Sequence, residues 1–186
     1  MGFAWDALAC AAAEDTDYQI AGVDSALLVE ALEARRRHVG HVIRERFVSI
    51  IDYRQPSGDP RYFLVDLEAG TADALLVAHG RGSDLDHDGY ADQFSNVHGS
   101  KMSSLGSFVT GETYYGRHGL SLRLSGLEAQ NDQARARAIV IHGADYVSTE
   151  RQILGRSWGC PALSRAEAQR VIPLIAGGTF VYVLGP

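Results

Sequence analysis

Two short stretches carry residue types that can do chemistry together. In Arg156-Ser157-Trp158-Gly159-Cys160-Pro161-Ala162-Leu163 a cysteine stands beside a glycine, so a sulfur nucleophile has backbone amides close to it. The pair His142-Gly143 ends the apolar run Ala138-Ile139-Val140-Ile141, so a base sits at the end of a buried strand. A free thiol titrates near ~8.5, and a neighbouring imidazole or helix N-terminus lowers that value. Ser164 and Glu167 form a capping box, which predicts a helix from Arg165, just beyond Cys160. His142 then takes the thiol proton and later protonates a leaving amine. The amides of Gly159 and Cys160 face the developing oxyanion, where loss of one donor costs roughly 3 kcal/mol of barrier. Gly159 also lets the backbone turn sharply beside a substrate. The group that holds the imidazole tautomer is either a carboxylate such as Asp145 or the Gly143 carbonyl. The chemistry these residues point to is acyl transfer through a cysteine.

The stretch 80–119 is long, polar and glycine-rich, and is predicted to be a loop region of the size that carries function. Within it Asp84, Asp86 and Asp88 alternate, Gly89 permits a turn and Asp92 can add an oxygen. This matches the first half of a calcium loop. The twelfth position is Ser95 rather than glutamate, so an EF-hand is not indicated, and an acidic turn whose aspartates cap backbone amides fits equally. Ser103 and Ser104 can hold a peptide through hydroxyl and main-chain hydrogen bonds, or satisfy their own loop. Tyr114, Tyr115 and His118 either line a groove or staple the loop to a sheet. Tyr115 and His79 are counted on the substrate side with Arg156, Ser157 and Trp158. One cysteine and scattered histidines give no zinc ligand spacing.

These groups need a scaffold. Asp24 caps a predicted helix with Leu27, Leu28, Ala31 and Leu32 on one face and a basic end at Arg35-Arg36-Arg37. Short apolar runs at 47–51, 62–67 and 74–78, with turn residues between them, predict an antiparallel meander. Strands are also expected at 120–124, 138–141 and 179–184, and Pro173 is expected to end or kink the helix after Cys160. The division expected is a tail and helix over 1–45 and one catalytic domain over 46–186.

The net charge of −6 gives no electrostatic reason to expect nucleic acid as a partner. No run approaches the ~20 apolar residues that span a bilayer. Cys10 and Cys160 are the two cysteines, too few for a disulfide framework. The first residues lack the positive segment of a leader peptide, so the chain is either cytoplasmic or has lost a leader.

His142-Gly143 followed by Ser157-Trp158-Gly159-Cys160 resembles the signature of the L,D-transpeptidase (YkuD) family, in which His-Gly precedes Ser-x-Gly-Cys. The stretches 94–96, 103–106, 137–143 and 155–163 resemble its divergent murein L,D-transpeptidase catalytic-domain branch, and the likeness runs over about 47–184. That resemblance implies a mostly β sandwich or barrel with an N-terminal helix and one helix after the cysteine. It implies Cys160 as nucleophile on a peptidoglycan tetrapeptide stem, His142 as base and the Gly143 carbonyl as its orienter. No cofactor is required, a carbapenem adduct at Cys160 is expected, and the location is periplasmic or otherwise extracytoplasmic. With water as acceptor the same scaffold is a carboxypeptidase or endopeptidase; without catalysis it is a wall-binding module. Two positions depart from the family pattern. Trp158 stands where histidine is common, and Ala162 stands where an arginine commonly follows the cysteine.

Overall fold

The computed structural model describes residues 19–186, so Cys10 and the N-terminal tail lie outside the described residues. The first helix, α1 (Ser25–Arg37), starts where the sequence places it: the Asp24 carboxylate accepts from the Leu27 amide at 2.9 Å. After a single 3-10 turn come β1 (Arg44–Asp52), β2 (Tyr62–Asp66) and β3 (Thr71–Leu75), the expected meander. The third strand begins earlier than the apolar run 74–78 suggests. The Asp66 carboxylate accepts from the amides of Glu68 and Ala69 and closes a four-residue turn, so pairing resumes at once with Asp66 opposite Thr71.

The stretch read as a loop up to Gly119 is a loop only as far as Leu105. Then β4 (Gly106–Gly116), the longest strand, pairs antiparallel with both β8 (Thr179–Leu184) and β5 (Gly119–Gly126). No apolar alternation marks it, because hydroxyls fill part of its buried side; Thr110 Oγ1 donates to the Ile175 carbonyl at 2.6 Å. Strand β6 (Val140–Gly143) carries His142 and pairs parallel with the two-residue β7 (Ala162–Leu163), placing His142 opposite Ala162. Helix α2 (Arg165–Ile175) starts at the Ser164 cap, as expected, and continues two residues past Pro173.

The sheet runs β3-β2-β1-β8-β4-β5-β6-β7. Two isolated bridges, Ala78 with Ala162 and Gly80 with Ser157, join its ends, so the sheet is nearly closed into a barrel. Alternation sorts its faces. Val48, Ile50, Phe180 and Leu184 pack outward against α1, while Ile51, Val181 and Val183 point into the interior with Val171, Ile172 and Ile175 of α2. Each such buried side chain contributes about 1.5–3 kcal/mol of transfer free energy. Helix α1 therefore shares a core with β1, β2 and β8. Among the described residues no helix is long and apolar enough to cross a membrane.

Candidate active site

The turn that presents Cys160 is built by Ser157. Its Oγ accepts from the Gly159 amide at 3.1 Å and donates to the Cys160 carbonyl at 2.6 Å. Gly159 has φ +119°, where a Cβ would also lie 2.7 Å from the Met102 carbonyl oxygen. A glycine at this position is thus a steric and conformational requirement. Ser103 supports the turn from below: its Oγ accepts from the Gly80 amide at 3.0 Å and donates to the Gly159 carbonyl at 3.2 Å. One sequence expectation changes here. The Gly159 amide is taken by Ser157, so it does not face the cavity as an oxyanion donor. The Cys160 amide has no hydrogen bond among the described residues.

His142 is 2% exposed and its Nδ1 lies 3.1 Å from the Gly143 carbonyl oxygen. Nδ1–H donates to that carbonyl, which leaves Nε2 unprotonated. Of the two orienting groups left open by the sequence, the carbonyl occupies the place; Asp145 pairs instead with Arg165. Gly143 cannot carry a side chain, because a Cβ would sit 2.9 Å from Arg165 Cα. Burial pushes His142 below the ordinary imidazole range; the Gly143 hydrogen bond works against this, and the charges of His118 and Arg165 add to it. His118, on the β4–β5 turn, stacks on His142 with ring centroids 4.4 Å apart.

Cys160 is half-buried, and its thiol lies 3.7 Å from the Ala138 carbonyl oxygen. Burial pushes the thiol up, while the Val140 amide and the Arg137 guanidinium pull it down. No hydrogen bond joins it to His142 among the described residues, and helix α2 starts five residues later. The sequence expectation of a thiol lowered by imidazole and helix is opposed here by burial, because desolvation of the charged form is the largest influence on it.

Cys160, His142 and His118 line one cavity of about 640 Å³. Its other walls include Ser157, the 69% exposed Trp158, and four cations, Lys101, Arg117, Arg137 and Arg156. Among the described residues no Asp or Glu lines it. In a chain of net charge −6 this is a local reversal of sign that favours an anionic ligand. Lys101 Nζ lies 5.0 Å from the Trp158 ring centre.

The remaining sequence candidates divide. Arg156 reaches the cavity. Ser104 does not face it; its Oγ donates to the Ser95 carbonyl at 2.9 Å and accepts from Arg137. Tyr115 is 83% exposed on the hairpin and stands outside the cavity lining. His79 is 1% exposed, between Arg61 and Asp84. The carboxylates of Asp84, Asp86 and Asp88 lie within 4.8 Å of one another, an arrangement able to hold a cation, and Asp92 is outside the group. Asp84 and Asp88 also cap the amides of Asp88, Gly89 and Tyr90. Arg137, Lys101 and Arg117 were not among the sequence candidates for the site; of the residues read as lining a groove or stapling the loop, His118 and Tyr114 line the cavity. Arg137 organises the serine-rich loop through Ser95, Ser100, Met102 and Ser104.

The family description "L,D-transpeptidase catalytic domain" matches residues 20–184. No curated protein matches the sequence. Solved structures similar to the chain include L,D-transpeptidase 3 from Mycobacterium tuberculosis in complex with a faropenem-derived adduct (12% identity, TM-score 0.49, 74% of this chain and 60% of that one). Two others are an L,D-transpeptidase from Mycobacterium smegmatis (10%, 0.48, 75% and 59%) and one from Xylanimonas cellulosilytica (17%, 0.43, 77% and 63%). This chain spans less than two thirds of the length of each. By the match over 20–184, the chain belongs to the L,D-transpeptidase catalytic-domain family.

Proposed function

We propose that the domain is a cysteine-dependent L,D-transpeptidase that takes an acyl group from a peptidoglycan tetrapeptide stem and passes it to an amine. The observation that carries this reading is the pairing in one cavity of the Cys160 thiol with His142, whose Nδ1 is committed to the Gly143 carbonyl. His142 Nε2 removes the thiol proton as Cys160 Sγ attacks the carbonyl of the L-centre. The Cys160 amide donates to the oxyanion. Collapse forms the thioester, and the imidazolium returns its proton to the departing D-alanine amine. An acceptor amine then attacks the thioester, loses its proton to Nε2, and the thiol is restored. Because the thiol starts neutral, His142 works as a general base during attack rather than as half of a preformed ion pair.

Water in place of the amine makes the protein an L,D-carboxypeptidase, and the exposed rim at Trp158 supports keeping this reading. The substrate implies a periplasmic or extracytoplasmic location. Calcium, suited to three carboxylates by its preference for oxygen ligands, is proposed as a structural ion on the Asp84-Asp86-Asp88 loop and takes no part in the chemistry.

The test is mass spectrometry of tetrapeptide muropeptides after incubation with the protein and with Cys160→Ala. Cross-linked dimers that require Cys160 support transfer, and tripeptides without dimers mean hydrolysis. No change with either protein sinks both and leaves a wall-binding role. Incubation with a carbapenem should add the drug's mass to the protein and not to Cys160→Ala.

A further inference from the structure

We infer that Arg156 receives a carboxylate of the acyl donor in the Cys160 cavity, and that the buried chain Arg61–His79–Asp84 fixes its position. This assignment rests on the transpeptidase reading and names the residue through which donor recognition occurs.

The position two residues after Cys160 offers no cation to a ligand. Ala162 is wholly buried in β7, between His142 and Ala78. The other cationic groups near the site are committed or unanchored. Arg165 holds Asp145 outside the cavity. Both Nη atoms of Arg137 are spent on the loop 95–104. Lys101 lies over Trp158, and nothing among the described residues fixes the Arg117 guanidinium.

Arg156 differs from all of these. Its Nη1 donates to the Asp84 backbone carbonyl and lies 3.9 Å from Asp84 Oδ1. Its Nε and Nη2 have no hydrogen bond among the described residues, while the side chain lines the cavity and is 22% exposed. A guanidinium held at one end, with Nε–H and an Nη2–H free, is a preformed fork for a carboxylate.

The anchor is itself constrained. The Asp84 side chain has no exposure; its Oδ2 accepts from His79 Nε2 at 3.0 Å and from the Gly89 amide at 3.2 Å. His79 Nδ1 accepts from Arg61 Nη2 at 2.7 Å, which fixes the tautomer that donates to Asp84. Arg61 is wholly buried, donates to the Val77 and Gln55 carbonyls, and lies over the Tyr53 ring at 4.9 Å. Breaking up such a buried ionic chain is costly, so Asp84 is a rigid support for Arg156. Arg61, His79 and Asp84 are accordingly positioning residues.

The test is calorimetric binding of stem tetrapeptide to Cys160→Ala protein, which holds substrate without turnover. Peptides amidated at one carboxylate at a time are compared with the free acid. One amide should bind roughly ten- to hundredfold more weakly than the acid. Adding Arg156→Ala should weaken the acid by a similar factor and leave that amide unaffected. Asp84→Asn should lose part of the acid's advantage with the amide unchanged, a selectivity that general loosening would not produce. If Asp84→Asn fails to fold, His79→Gln replaces it. Equal losses for acid and amide in Arg156→Ala, or indifference to amidation in the parent, overturn the assignment of Arg156 alone. Failure of every stem peptide to bind folded Cys160→Ala protein overturns the transpeptidase reading as well.

Discussion

His118 lies face to face with His142, ring centroids 4.4 Å apart and planes inclined by 27°. With the Gly143 carbonyl on Nδ1, the stack leaves the imidazole one orientation in the cavity. His142 is depressed by burial first and by the charges of His118 and Arg165 after it. The sign follows: a base with a depressed pKa stays neutral further into acid, so the acid limb of kcat/KM should lie below the ordinary histidine value. His118→Phe keeps a ring on His142 and removes a charge, so the limb should move to higher pH with little loss of kcat at its plateau. His118→Ala should lower kcat about tenfold through misplacement of the base. Unchanged pH profiles in both variants would remove His118 from this role.

Iodoacetamide reports on the thiol directly. Burial outweighs the Val140 amide and Arg137, so alkylation should be slow at neutral pH and rise with an apparent pKa above that of an ordinary thiol. Arg137→Gln should move the curve further to alkaline pH. A rate still fast below pH 7 would instead reveal a preformed thiolate–imidazolium pair.

Glycines at the turn are packed backbone to backbone. A Cβ on Gly80 would lie 2.4 Å from the Lys101 carbonyl oxygen and 2.7 Å from Gly159 Cα. Gly80→Ala should therefore destabilise by about 1–3 kcal/mol, lower Tm by several degrees, and reduce turnover by shifting Gly159. Gly40→Ala meets nothing within 4 Å and serves as the control. Equal thermal melts for the two variants would contradict the close packing.

Calcium should bind weakly. Two of the three carboxylates are exposed, and the oxygens of Asp84 already accept from His79 and two amides. Titration calorimetry should give a dissociation constant no tighter than ~10⁻⁴ M, lost in Asp86→Ala with Asp88→Ala. Absence of heat at ~10 mM calcium removes the ion from the fold.

Much of this was legible in the sequence where the cause is local. The Asp24 and Ser164 caps, the strand that delivers His142, and the Ser157–Gly159 turn before Cys160 all rest on residues a few positions apart. Strand β4 was not legible, since the buried polar residues Ser107 and Thr110 interrupt its apolar alternation while the strand is held by pairing on both sides and by the Thr110 hydroxyl. His79-Gly80 and His142-Gly143 present the same local text, an apolar run ending in His-Gly. What separates a support from a base is long-range: Arg61 and Asp84 enclose one imidazole, while the other borders the cavity. Arg137 gave no signal of its own, because its partners lie 33 to 42 residues away.

The barrel is closed by two lone bridges, Ala78 with Ala162 and Gly80 with Ser157, and these flank Cys160. Each other junction between the described strands is a ladder of three or more paired residues, with a register shift in β1–β8 and in β4–β5, or, at β6–β7, a pair of residues backed by α2. The nucleophile is therefore mounted on the seam of the molecule rather than on its strongest wall. Under denaturant or heat the seam parts at the lowest cost, so catalytic competence and secondary structure fail in sequence and not together. Amide exchange at Ala78, Arg81, Ser157 and Ala162 becomes a gauge of how often the site comes apart while the rest of the protein stays folded.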